Sequence, residues 1–403
     1  MNTPTHPWRT PLAIIIASCA IITLSMGVRQ TGGIFMQPMT LAHGWSRELY
    51  SFAIALQNLV WGLSSPFSGA LADRFGAGRT LVLGAVMYVL GLVLMTVSAS
   101  GVEFNLSAGL LVGLGLSATT YSVIMGVVGR NTPPEKRSMA LGIVGAGGSF
   151  GQFATLPAGQ ALISGLGWQA ALWILAGGIA LIVPLAWYMA GNSGKTEGRQ
   201  QSILEALKEA GRHPSFHFLF WSYLVCGFHT AFIMLHLPAY LVDAGFSANL
   251  GMMAVALIAL FNIFGSFFFG WVGGRASKSR GLAWLYGLRS LTILLFVLLP
   301  LSKVSILLFA AAMGFLWLGT VPLTNGLVAQ IFGVRYMSML TGIIFLGHQI
   351  GSFAGAWMGG VIYDKTGSYL AAWSVAIGLG LVAALLSLPI REKALARVQS
   401  ATA

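Results

Sequence analysis

Gly69-Ala70-Leu71-Ala72-Asp73-Arg74-Phe75-Gly76-Ala77-Gly78-Arg79 stands between two apolar runs, and the chain carries it twice. The second, degraded copy is Gly270-Trp271-Val272-Gly273-Gly274-Arg275-Ala276-Ser277-Lys278-Ser279-Arg280, with Gly274 where Asp73 would stand. Outward from these loops the same register persists. Gly27, Arg29 and Pro38 fall opposite Gly227, His229 and Pro238. Ser138, Met139, Gly142, Gly147, Gly151, Phe153, Ala154, Ala171 and Trp173 fall opposite Ser338, Met339, Gly342, Gly347, Gly351, Phe353, Ala354, Ala371 and Trp373. The chain is therefore two matched halves.

The solvent of these halves follows from composition. Only 8% of the residues are charged and 56% are apolar, whereas soluble domains carry about 25% charge. Such a chain cannot cover a water-facing surface, so lipid surrounds it. Its 52 glycines suit close helix contacts in a bilayer. Cys19 and Cys226 both sit in apolar runs and read as small packing groups, with no disulfide framework and no thiolate metal site. The net charge of +12 is not a nucleic-acid footprint, because the basic residues lie in short loops of one parity.

Apolar runs of about 20 residues, the length that crosses a bilayer, are expected at 11–37, 47–70, 80–98, 104–128, 138–163 and 168–190. In the second half they are expected at 215–242, 249–273, 281–299, 304–330, 336–363 and 369–389. All must be helices, since open strands would leave backbone groups unpaired in hydrocarbon. The expected division is a six-helix bundle over 1–190, a linker over 191–214 and a second bundle over 215–403. A short amphipathic helix is expected in the linker around Ser202–Ala210. The outer loops hold only Arg47, Lys303 and Lys365, against a large excess of Lys and Arg in the inner segments. That asymmetry puts both termini in the cytoplasm of a multi-pass inner-membrane protein. The first run is not expected to be cleaved, because its lead is short and no small-residue cleavage pattern follows.

Twelve helices in two halves with matched interior polar groups are how many secondary transporters are organised. With Gly69 to Arg79 between spans two and three, the chain resembles the major facilitator superfamily, which carries a Gly-x-Leu-x-Asp-Arg-x-Gly-x-x-Arg/Lys loop there. The first-span segment Gly27-Val28-Arg29-Gln30-Thr31-Gly32-Gly33-Ile34-Phe35 is similar to that of its monocarboxylate transporters and oxalate–formate antiporters. The resemblance implies an all-α fold of two pseudo-symmetric six-helix bundles and gating charges at Asp73 and Arg74. It also implies cavity-lining roles for spans one, seven and eleven. Those relatives grip substrate with an arginine in span eight; here the stretch Phe261-Asn262-Ile263-Phe264-Gly265-Ser266 has no charge, so that role would fall to Arg29.

Arg29 lies ~27 Å along the first span at 1.5 Å per residue. An arginine inside a span is a functional candidate by default, and a guanidinium suits a carboxylate through two hydrogen bonds. The alternative is a side chain that snorkels to the interface. His229 and His236 share a helical face and can exchange a proton near neutral pH; alternatively each bonds a backbone carbonyl and packs. His348 and Gln349, midway in span eleven, are further candidates. Among the remaining interior polar residues Gln30, Tyr121 and Asn262 rank highest as substrate contacts, with interhelical bonding as the other role. Arg289 is expected to snorkel to the cytoplasmic face.

Interior charge is positive and no carboxylate is placed mid-span, which disfavours cationic cargo. The reading is a secondary active transporter of a small organic anion, a monocarboxylate, coupled to protons. The alternative is an exporter of neutral or amphipathic toxic compounds. No HExxH or nucleotide loop occurs, and Gly147-Gly148-Ser149-Phe150-Gly151, which fits the letters GxSxG, lies inside an apolar span and not at a strand-to-helix turn, so enzymatic and ATP-driven roles are not expected. Nor is a metal, a cofactor or a nucleic-acid partner, and the expected state is a monomer.

Overall fold

The computed structural model describes residues 10–45, 47–190 and 201–396; of the side chains of Arg47, Glu48, Ala248 and Asp364 nothing is said. Residues 191–200 of the expected linker lie outside the described residues. Among the described residues there is no strand, and eleven helices are long and apolar enough to cross a membrane. The 29-residue helix Arg47–Phe75, equivalent by the repeat to Ala248–Gly273, is the twelfth. It is the more polar of that pair because it carries Gln57, Asn58, Asp73 and Arg74.

Most spans run as expected, within a turn at either end. The first is longer than its apolar run: Pro11–Gln30 continues after Thr31 as Gly32–His43, with Pro38 inside. The Thr40 hydroxyl donates to the Met36 carbonyl at 2.8 Å and to the Gln37 carbonyl at 3.1 Å. These are back-bonds within the turn that follows the proline; the carbonyl that Pro38 leaves without its amide partner is that of Ile34, four residues earlier. The linker helix is Ile203–Arg212, opened by a capping box of Ser202 and Glu205. The His213 imidazole beyond it is held below its ordinary pKa by burial and by Arg391, against the opposing pull of Glu209.

Two spans are broken at repeat-equivalent places. The fourth stops at Thr119 and restarts at Tyr121 around Thr120, whose φ and ψ are −120° and −149°. The tenth stops at Phe315 and restarts at Thr320.

The contacts divide the chain into two compact units: residues 1–133, 147–200 and 334–342, and residues 134–146, 201–333 and 343–403. In the first unit the helix Ala77–Met95 packs along Val112–Thr119 and Trp168–Ala180. In the second, Lys278–Leu298 packs along Leu370–Ser387 and Ala248–Gly273 along Lys303–Phe315. The second unit is filled by an aromatic core in which Trp373, 1% exposed, meets Phe232, Tyr240, Phe296 and Phe309. Matched glycines make matched close crossings. A Cβ on Gly142 would lie 2.7 Å from the Gly270 Cα, inside the second unit, and one on Gly342 would lie 2.5 Å from the Ser65 carbonyl oxygen, inside the first. Both positions therefore need glycine for backbone contact.

Candidate functional site

The first unit holds an arginine that its surroundings leave largely open. Only Nη2 of Arg29 has a hydrogen-bond partner among the described residues: it donates to Oδ1 of Asn58 at 2.6 Å. Its Nε is buried without one. The guanidinium carbon lies 4.8 Å from the ring centroid of Trp61, a cation–π placement. The indole Nε1–H donates in turn to the Thr120 hydroxyl at 3.0 Å, at the break in the fourth span. Arg29 thus points into the bundle, held by two residues of the second span, and has no carboxylate partner among the described residues.

Arg29 and Gln30 line a cavity of about 130 Å³. Four other polar side chains line it, and each donates one hydrogen bond to the backbone. Thr31 donates to the Val28 carbonyl at 2.7 Å, Tyr50 to that of Gly32 at 2.6 Å, Gln57 to that of Ala108 at 2.9 Å and Tyr88 to that of Ser25 at 3.2 Å. The helix that restarts at Gly32 also begins on this cavity, with no side-chain cap. A helix N-terminus favours negative charge. Tyr121 is 5% exposed and, like Tyr88, lies in the electrostatic neighbourhood of Arg29.

The loop motif places Asp73 apart from Arg74. Asp73 is 4% exposed; its carboxylate accepts from Arg130 at 2.5 Å and from the Met339 backbone N–H at 2.9 Å. Arg74 is exposed, with its guanidinium carbon 5.1 Å from the centroid of its own neighbour Phe75. The residue that shares the motif carboxylate is therefore Arg130, in the last turn of Tyr121–Asn131. It lies outside the motif, and nothing in its local sequence marks it.

In the second unit the polar residues meet the fold itself. Nε2–H of His229, fully buried, donates to the Ala376 carbonyl at 2.7 Å. Nε2–H of His236 donates to the Ala356 carbonyl at 2.9 Å, and its Nδ1 lies 3.3 Å from the Tyr369 hydroxyl. Asn262 Oδ1 accepts from the Leu318 backbone N–H at 3.0 Å and from Ser266 at 3.3 Å, so it braces the break in the tenth span. The His348 imidazole, half-buried, meets only side chains: its Nδ1 is 3.3 Å from both Gln349 Oε1 and Ser352 Oγ. Gln349 is 8% exposed beside it.

Arg289 corrects an expectation. It does not snorkel but is fully buried, its Nε donating to the Leu316 carbonyl at 2.8 Å and its Nη2 to that of Trp317. The break in the tenth span frees those carbonyls, and a buried arginine in reach of them is held by the fold. The sequence shows the depth of Arg289 but not the break that receives it.

Two broken spans, and a half-buried guanidinium with no carboxylate partner among the described residues, are features that suit a membrane transporter. Residues 17–356 match the Major Facilitator Superfamily, and the chain belongs to that family. It is a multi-pass membrane transporter, not an enzyme. It is 27% identical over 385 residues to the uncharacterized MFS-type transporter YcxA of Bacillus subtilis (strain 168), covering 91% of each chain. It is 23% identical to monocarboxylate transporter 12-B of Danio rerio, covering 93% of this chain and 86% of the relative. The crystal structure of the transporter FucP in the outward conformation has the same fold, with a TM-score of 0.78 at 14% identity over 93% of this chain and 97% of that one.

Proposed function

We propose that this chain is a secondary active transporter of a small organic anion, a monocarboxylate, working as a monomer by alternating access in a bacterial inner membrane, with both termini cytoplasmic. The observation that carries the reading is Arg29: a guanidinium inside a span, with one nitrogen of three engaged, lining a cavity. An intramembrane cation without an anion is expensive unless it serves a ligand. A carboxylate supplies both the missing charge and the missing acceptors. The named monocarboxylate relative supports the same class.

The transport is coupled to a proton. His229 and His236 commit Nε2–H to backbone carbonyls, which leaves His348, whose partners are side chains that can turn, as the group assigned to carry it.

The test is uptake into proteoliposomes. Arg29→Gln is expected to abolish carboxylate uptake while the protein still inserts and keeps its thermal midpoint. Uptake that persists in that variant ends the anion reading and favours export of neutral compounds. An imposed inward proton gradient should drive uptake in the parent and fail to do so in His348→Gln.

A further inference from the structure

The cavity at Arg29 is chemically one-sided. Its charged head group, Arg29, adjoins Gln30, and Thr31, Tyr50, Gln57 and Tyr88 each donate one hydrogen bond to a backbone carbonyl. The large apolar side chains of the lining are Phe35, Ile54, Leu92, Met95, Val112 and Leu172. Arg29 is the charged residue of this lining, so a ligand whose carboxylate meets it finds no second cation beyond that end. A second carboxylate on its body would be buried without a counter-charge, which opposes binding.

Size sets the other limit. The volume is about 130 Å³, close to an apolar protein cavity of roughly 150 Å³ that takes up benzene. One compact ring, or a branched chain of similar bulk, fills such a space. Acetate would leave it largely empty.

We infer that the Arg29 cavity selects monocarboxylates with a compact, largely apolar body of about one benzene ring's bulk, over dicarboxylates and over acids too small to fill it. This rests on the reading of Arg29 as the carboxylate grip. Arg29 with Gln30 takes the head, and the six apolar side chains take the body. Selection lies in what the cavity lacks, a second cation, and in the space its apolar side chains leave.

The experiment is equilibrium binding to the purified full chain in detergent, by calorimetry, with benzoate, acetate, lactate, malonate and benzamide as probes. Benzoate is expected to bind at least tenfold tighter than acetate, lactate or malonate, and to lose binding in Arg29→Gln. Val112→Phe, which fills the cavity, should weaken benzoate at least tenfold and leave acetate unchanged. Should that variant not fold, Leu92→Ala enlarges the cavity instead and should shift preference from benzoate to a bulkier ring acid such as naphthoate. Lactate or malonate binding as tightly as benzoate, with binding still lost in Arg29→Gln, overturns the selectivity and keeps the carboxylate grip. Benzoate affinity that neither cavity variant alters overturns the selectivity in the same way. Benzamide binding as well as benzoate, with Arg29→Gln indifferent, overturns the grip and the selectivity together, as does the absence of binding by every carboxylate.

Discussion

The guanidinium of Arg29 lies over the indole of Trp61, and the same indole hydrogen-bonds Thr120 where the fourth span breaks. One side chain therefore touches both the candidate anion grip and the irregular backbone of a neighbouring span. The second unit has its own arginine at a break. Arg289, equivalent by the repeat to Tyr88, donates straight to the Leu316 and Trp317 carbonyls. Arg29 is steadied at a distance from its break and has one nitrogen engaged; Arg289 commits two, Nε and Nη2, to the break beside it. The duplicated halves thus share a plan and divide its uses.

Trp61 is accordingly a positioning residue. Trp61→Phe keeps a ring face under the guanidinium and removes the bond to Thr120, a net interaction of about 1 kcal/mol. Trp61→Leu also removes the cation–π contact, about 0.5–2 kcal/mol. Carboxylate affinity should fall only a few-fold in the first variant and about tenfold in the second. Calorimetric titration of both variants checks the order, and equal losses would mean that the ring face does not matter.

Asn58 offers a sharper test of what Arg29 is for. Its Oδ1 sits 2.6 Å from Nη2 of Arg29, so Asn58→Asp places a carboxylate there without changing shape. The guanidinium would then be neutralised from within, and an incoming anion would meet an occupied, uncharged pair. Expected is lost uptake with a thermal midpoint near the parent's, because the new ion pair is offset by loss of the Asn58 Nδ2–H bond to the Ile54 carbonyl. A destabilised protein that still transports would show that the cation is already compensated.

How much of this was legible in the sequence depends on what periodicity can express. The helical spans and the all-α fold could be read, because bilayer thickness and backbone satisfaction fix them. The heading of each interior polar side chain could not. A span that is apolar on nearly every face has no periodicity to orient its few polar residues, so His229, His236 and Asn262 looked alike as cavity groups. Their partners, the Ala376 and Ala356 carbonyls and the Leu318 amide, are backbone atoms of distant segments. Arg130 was hidden for a related reason, since its carboxylate lies two spans earlier. The break after Phe315 occurs in Phe315-Leu316-Trp317-Leu318-Gly319, which is as apolar as its flanks.

Arg289 should matter for stability and little for binding. Arg289→Met removes donors from two carbonyls at the tenth-span break, and each buried acceptor left unpaired costs about 1–3 kcal/mol. The purified variant should show a clearly lower thermal midpoint. The fraction that remains folded should bind carboxylate with the parent's affinity. A parent-like midpoint would mean that water or a rearranged break replaces the arginine.

Asp73 should matter for both folding and turnover. Its carboxylate is shared between Arg130 and the Met339 N–H, and removing one member of a buried ion pair leaves the other uncompensated, at roughly 3 kcal/mol. Asp73→Asn should lower the thermal midpoint and slow uptake while the carboxylate dissociation constant stays within about twofold, since the site is elsewhere in the first unit. Asp73→Glu, which restores the charge at a different length, should recover stability in part. Arg74→Gln, at an exposed position, should leave the midpoint unchanged. A loss as large as that of Asp73→Asn would return Arg74 to the lock.

The pH dependence of stability should carry a contribution from His213, at the junction of the linker helix and the seventh span. Burial and the nearby Arg391 hold its pKa below the ordinary value, with Glu209 opposing. The folded state thus prefers the neutral ring, and the unfolded chain takes up the proton first as pH drops. The associated stability is complete above the unfolded value, about 6.5, and declines as pH falls below it toward the folded pKa. His213→Asn, which cannot protonate, should flatten the fall in thermal midpoint between pH 7 and pH 5, read by differential scanning fluorimetry at fixed ionic strength. Arg391→Gln should flatten it in part, because it removes one of the two influences that depress the pKa. Parallel profiles for parent and both variants would place the acid sensitivity elsewhere in the chain.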